Sequence, residues 1–121
     1  MDSLKERGAV ERLPLLNHSN YVYWKARMKA FIKTLNEKAW RAVLSGWYHP
    51  TVTDTEGKTT PKPELEWTPQ EDNLSKYNSI ALNAIFNAVD PNQFKLISTC
   101  ESTKATWDVL QTAYEGTDTV R

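Results

Sequence analysis

Two histidines (His18 and His49), one cysteine (Cys100) and the run Asp54-Thr55-Glu56-Gly57 are the places where this chain could support nucleophilic, acid–base or metal chemistry. A catalytic thiol needs a base beside it, and no histidine stands near Cys100 in sequence. Cys100 therefore reads as a small buried side chain. The two histidines are isolated from each other and read as surface or packing residues. Asp54-Thr55-Glu56-Gly57 only approximates the D-T-G of aspartic proteases, because Glu56 interrupts it. The chain holds no glycine-rich phosphate loop, no G-x-G-x-x-G, no H-E-x-x-H and no paired Cys/His spacing. The triplets Asn17-His18-Ser19 and Asn73-Leu74-Ser75 match a glycosylation sequon. They carry weight only on a secretory route, and the first 20 residues hold no apolar signal segment. The expectation is a protein that is not an enzyme and that has no cofactor and no metal.

Binding chemistry is better represented. Lys25, Lys29 and Lys33 recur every fourth residue, so a helix would align them on one flank. Aromatic residues interleave with them, as in single-strand nucleic-acid binders, where the rings must be exposed. Here Trp24 and Phe31 share an arc with Met28 and Leu35, which assigns them to a core, while Tyr23 lies on the wetter face and is a candidate contact. Basic and acidic residues balance at 15 each. Their distribution is uneven. Residues 1–49 hold nine basic and four acidic side chains (+5), and residues 50–121 hold six and eleven (−5). Such polarity fits either head-to-tail contact with a second copy or, more simply, two helices that carry lysine on their wet faces.

Positioning these residues requires helices. Tyr21, Trp24, Met28, Phe31, Ile32 and Leu35 fall on one stripe at 100° per residue, which predicts a first helix capped by Asn17, Ser19 or Asn20. A short helix over 37–45 follows, capped by Asn36, with Trp40, Val43 and Leu44 inward and Gly46 at its C-terminal turn. Residues 47–67, with Pro50, Pro61 and Pro63, read as a long loop or a small exposed hairpin turning at Glu56-Gly57. Thr68-Pro69-Gln70-Glu71 forms a capping box with proline in the first turn. The helix it starts runs to about Val89. Leu74, Tyr77, Ala81, Ala84, Ile85 and Ala88 form one stripe and Leu82, Phe86 and Val89 a second, as a central helix needs. Asp90 opens a short helix carrying Phe94, Leu96 and Ile97. Ser102 caps a last helix over 103–115 that turns Trp107, Leu110 and Tyr114 inward, with Gly116 ending it. The predicted fold is all-α, a five-helix bundle. Residues 1–16 read as a mobile N-terminal arm, 17–116 as the helical domain and 117–121 as the start of a truncated following segment.

The 121 residues suffice for one domain with a real core. A charged fraction of 25% and a hydrophobic fraction of 40% match a folded globular chain. One cysteine excludes an internal disulfide and suits a reducing compartment. The apolar runs are too short to span a membrane. These features together predict a cytoplasmic location and no membrane partner.

In order and spacing these elements resemble the Gag polyprotein of copia-type LTR retrotransposons. The likeness begins with Leu16 and Asn20-Tyr21-x-x-Trp24-x-x-x-Met28, then Trp40, Trp67 before the long helix, and Ile97-Ser98. Its most specific piece is Ala105-Thr106-Trp107-Asp108-Val109-Leu110 followed by Tyr114. It extends over residues 16–116. The resemblance implies a capsid N-terminal domain, followed in the family by a second helical domain and often a CCHC knuckle that binds RNA. Neither falls within residues 1–121, so knuckle-mediated RNA packaging is not expected of them. Tyr21, Trp24, Met28, Trp40, Trp107, Leu110 and Tyr114 would define the fold, and Lys25, Lys29 and Lys33 would contribute to self-association.

The expected function is structural: a self-associating capsid domain of a virus-like particle, with another copy of itself as partner. The alternatives are a host-adopted Gag-derived module that holds a peptide or protein in a hydrophobic groove, and a weak RNA-binding domain. Because no metal-ligand spacing is present, excess chelator should leave the melting temperature unchanged; a reproducible drop would refute the metal-free reading.

Overall fold

The computed structural model describes Leu13, residues 15–17 and residues 19–115. These form five α-helices, a two-stranded hairpin and one 3-10 turn. Residues 1–12 of the expected arm, His18, Gly116 and the expected segment 117–121 lie outside the described residues. Leu16, placed at the end of the arm, is fully buried. Its backbone N–H donates to the Ala88 carbonyl at 3.0 Å, and it forms a parallel bridge with Val89.

Helix α1 spans Tyr21–Leu35 and buries Tyr21, Trp24, Met28 and Ile32. Its start is organised one turn earlier than a simple cap would be. Asn17 Oδ1 accepts from the Ser19 and Asn20 N–H groups at 2.8 and 3.0 Å, and the Asn20 amide returns to the Leu15 carbonyl at 3.0 Å. Helix α2, Glu37–Ser45, opens with Asn36 Oδ1 accepting from the Lys38 N–H. Helix α3, Pro69–Phe86, carries the expected capping box between Thr68 and Glu71. It packs against α1, α2 and the last helix and is the central element. Helix α4, Pro91–Ile97, repeats the box with Asp90 and Gln93. Helix α5, Thr103–Glu115, starts where Ser102 Oγ accepts from the Ala105 N–H at 3.0 Å.

Between α2 and α3, β1 (Thr51–Thr53) pairs antiparallel with β2 (Thr59–Pro61). The hairpin, not the long loop, is what residues 47–67 contain. Asp54 closes its turn: Oδ1 accepts from the Glu56 and Lys58 N–H groups at 2.8 and 2.9 Å, and Gly57 adopts φ +87°, which glycine reaches at least cost. The aspartate of the protease-like run is thus a turn residue. The strands themselves are exposed. Their base is pinned by an aromatic group in which His49 meets Trp47 and Trp67 edge-on at 5.9 and 5.3 Å. The Trp67 indole donates to the Lys62 carbonyl at 3.0 Å.

Three inward assignments need correction: Leu35, Leu44 and Leu74 are exposed, as are Phe94 and Leu96 of the short helix. Leu35 and Leu74 fall within their stripes by angle but stand near a helix end, Leu35 as the last residue of α1 and Leu74 in the second turn of α3. The buried faces of α2 and α3 include Ala39, Ala42, Ala81 and Ala84. The central helix also ends at Phe86, three residues early, because Ala88 and Val89 turn to meet Leu16. Trp107 and Tyr114 are half-buried, at the edge of the core rather than within it.

A buried polar knot joins α3 to α5. Asn78 is 3% exposed and Thr103 fully buried. Asn78 Oδ1 accepts from the Thr103 N–H at 2.8 Å, its Nδ2 donates to the Glu101 carbonyl at 2.8 Å, and the Thr103 hydroxyl lies 2.8 Å from Oδ1. Truncation would strand these partners without water. Asn78→Ala should therefore lower stability by about 2–3 kcal/mol in urea titrations, whereas Asn83→Ala on the exposed side of α3 should cost less than about 0.5 kcal/mol. Equal effects would show that the knot contributes nothing.

Candidate interaction surface

Five aromatic residues of the resembled pattern converge on one seam, whereas Trp67 packs apart from it against Trp47 and His49. Trp24 and Trp107 stack with centroids 6.2 Å apart, Trp40 meets Trp107 edge-on at 5.4 Å, and Tyr21 stacks on Tyr114 at 5.3 Å. Met28 and Leu110 are buried beneath them. Buried Gln93 donates through Nε2 to the Tyr114 hydroxyl, tying α4 to the seam. These side chains are consumed by folding, so interaction chemistry falls to the outer faces.

On the lysine flank, two of the three cations already have intramolecular roles. Lys25 Nζ lies 2.8 Å from Glu115 Oε2 and 5.7 Å from the Tyr21 ring centroid. Lys29 sits 5.6 Å over Trp40. Lys33, in the last turn of α1, is exposed. Tyr23 is 55% exposed and is held by Arg27, whose Nη1 lies 3.2 Å from the phenol oxygen.

Sequence periodicity did not reveal a groove on the opposite side of α2. It has a volume of about 400 Å³ and is lined by Lys38 and Arg41 of α2, Trp47 and Tyr48 after it, and Leu74 and Tyr77 of α3. Gly46, at φ +85°, turns the chain into its wall, and a Cβ there would meet Lys104 Cδ at 3.3 Å. Tyr48 is 84% and Leu74 51% exposed, and Lys38 Nζ sits 5.7 Å from the Tyr77 ring centroid. Leu74 and Tyr77 thus serve a surface rather than the core stripe to which period alone assigns them. The available signal was the aromatic pair Trp47-Tyr48 directly after a helix-ending glycine.

Groups with chemical potential are dispersed. His49 Nδ1 lies 2.8 Å from the Pro50 carbonyl, and Cys100 is half-buried. Among the described residues, no three His, Cys, Asp or Glu side chains group as a metal site would need. Among the same residues, no helix is long and apolar enough to cross a membrane.

Hydrogen bonding from Lys25 holds the Glu115 carboxyl below its usual range, and Lys62 with the Thr68 N–H does the same for Glu71. Their contributions are present above the ordinary carboxylate pKa and are lost as pH falls through the lowered values. Burial, reinforced by the neighbouring Glu115 carboxylate, pushes the Tyr21 hydroxyl well above its ordinary 10.0. A raised folded-state value means the unfolded chain ionises first, so stability is intact below pH 10 and falls as pH climbs toward the folded value. Urea titrations at pH 9 and pH 11 should show a smaller alkaline loss for Tyr21→Phe than for the wild type. Identical losses would contradict the buried, neutral phenol.

No protein-family model, no curated protein and no solved structure matches the chain.

Proposed function

We propose that this chain is a structural, self-associating domain, the N-terminal capsid domain of a copia-type Gag polyprotein, acting in the cytoplasm in the assembly of a retrotransposon particle. The observation that carries this reading is the aromatic seam. Residues that α1, α2 and α5 contribute to the resembled pattern, separated by up to 93 positions in sequence, pack ring against ring between Tyr21 and Tyr114. A pattern spent on packing describes a scaffold, and a scaffold acts through its outside.

The outside supports contact rather than catalysis. Val22, Tyr23, Tyr48 and Leu65 are each more than half exposed on different parts of the surface. A shell multiplies each contact by the number of neighbours, so individual interfaces can be weak and reversible. Polyanion binding is less well supported, because basic and acidic residues balance at 15 each.

Light scattering coupled to size exclusion tests the proposal. The dilute domain should be monomeric, and it should associate as concentration rises and salt falls, since exposed charge contacts of about 0–1 kcal/mol are screened. Reversing Lys25, Lys29 and Lys33 to glutamate should weaken association. Because Lys25 pairs with Glu115, the melting temperature of the triple variant should be recorded alongside. A domain that stays monomeric at every concentration and salt would defeat the proposal.

A further inference from the structure

Among the described residues the most exposed large apolar side chain is Leu65, with 101% of its reference area open to solvent. It sits in the 3-10 turn Glu64–Glu66, so a glutamate flanks it on either side. Pro63 leads into the turn, and the Glu66 N–H donates to the Pro63 carbonyl while the Trp67 N–H donates to that of Glu64. The backbone is therefore held locally by two hydrogen bonds, and the leucine projects from the turn as a knob. Among the described residues, neither Glu64 nor Glu66 has an ion-pair partner.

The groove between α2 and α3 has the opposite character. Its floor is aromatic and aliphatic, and its rim carries Lys38 and Arg41, which likewise lack ion-pair partners among the described residues. An acidic–apolar–acidic knob and an apolar groove rimmed by two cations are complementary in charge and in chemistry. The knob belongs to the net-negative part of the chain and the groove is built largely from the net-positive part. A chain cannot satisfy itself this way in this conformation, since its own Leu65 is fully open to solvent.

We propose that the groove receives the Glu64-Leu65-Glu66 knob of a second copy of this chain. Leu65 enters between Tyr48, Leu74 and Tyr77, while the two glutamates meet Lys38 and Arg41. Knob and groove lie toward the same end of the molecule, because Trp67, directly after the knob, packs edge-on against groove-lining Trp47 at 6.5 Å. Two copies related by a twofold axis can therefore exchange knobs, and each dimer then contains the contact twice. This inference rests on the self-association proposed above and names its interface.

Charge-swapped variants test it, because every altered side chain is exposed, with the melting temperature of each variant recorded because Lys38 also packs over the Tyr77 ring. Glu64→Lys/Glu66→Lys should be monomeric alone, and so should Lys38→Glu/Arg41→Glu. Their equimolar mixture should recover the dimer, since each knob then faces a groove of opposite charge. Leu65→Ser should weaken dimerisation about tenfold or more through loss of the buried leucine, with circular dichroism unchanged. A wild-type chain still monomeric near about 1 mM would overturn both this interface and the self-association it rests on. A wild type that associates, with both swaps associating equally well, would overturn the knob-and-groove contact alone and assign the groove to another occupant.

Discussion

The carbonyl of Ala88 accepts two hydrogen bonds on which the rest of the fold depends: from the Leu16 backbone N–H and from the Trp24 indole, each at 3.0 Å. A tryptophan that is 1% exposed must find a partner for its indole N–H, because no water reaches it. Here the partner lies just past the end of α3. That single acceptor joins the segment entering α1, the first turn of α1 and the exit of the central helix. It also explains why α3 ends before the apolar pattern does: continuing the helix through Ala88 would commit its carbonyl to the helical ladder.

From that junction the seam follows. With Trp24 fixed, Trp107 stacks over it and Trp40 closes from α2, while Tyr21 and Tyr114 pair one turn away. Lys25 and Lys29 then cover the seam, one through Glu115 and the other over the Trp40 face. Cations over rings shield aromatic edges from solvent while keeping their own charge wet. The basic character of α1 is thus partly structural.

On the far side of α2, the proposed knob-and-groove contact would draw its specificity from charge. Apolar area attracts indiscriminately, and the direction of a contact comes from charges arranged around it. Lys38 and Arg41 at the rim of the groove, and Glu64 and Glu66 beside Leu65, supply that arrangement on one polypeptide.

The five helices, their starts and most of their buried faces were legible in the sequence, because capping and periodicity are local. Thr68 with Glu71, Asp90 with Gln93 and Ser102 act within one turn, and a stripe such as Tyr21, Trp24, Met28 and Ile32 is written in the order of residues. The choice between loop and hairpin over 47–67, the surface roles of Leu74 and Tyr77, and the engagement of Lys25 by Glu115 were not legible. Each depends on groups far apart in the chain: on α2 beside α3, or on residues 25 and 115 meeting across the bundle. Periodicity marks a face as apolar; only the neighbouring helix decides how much of it is covered. Leu74, on the apolar stripe of α3 yet exposed at the groove, is such a case.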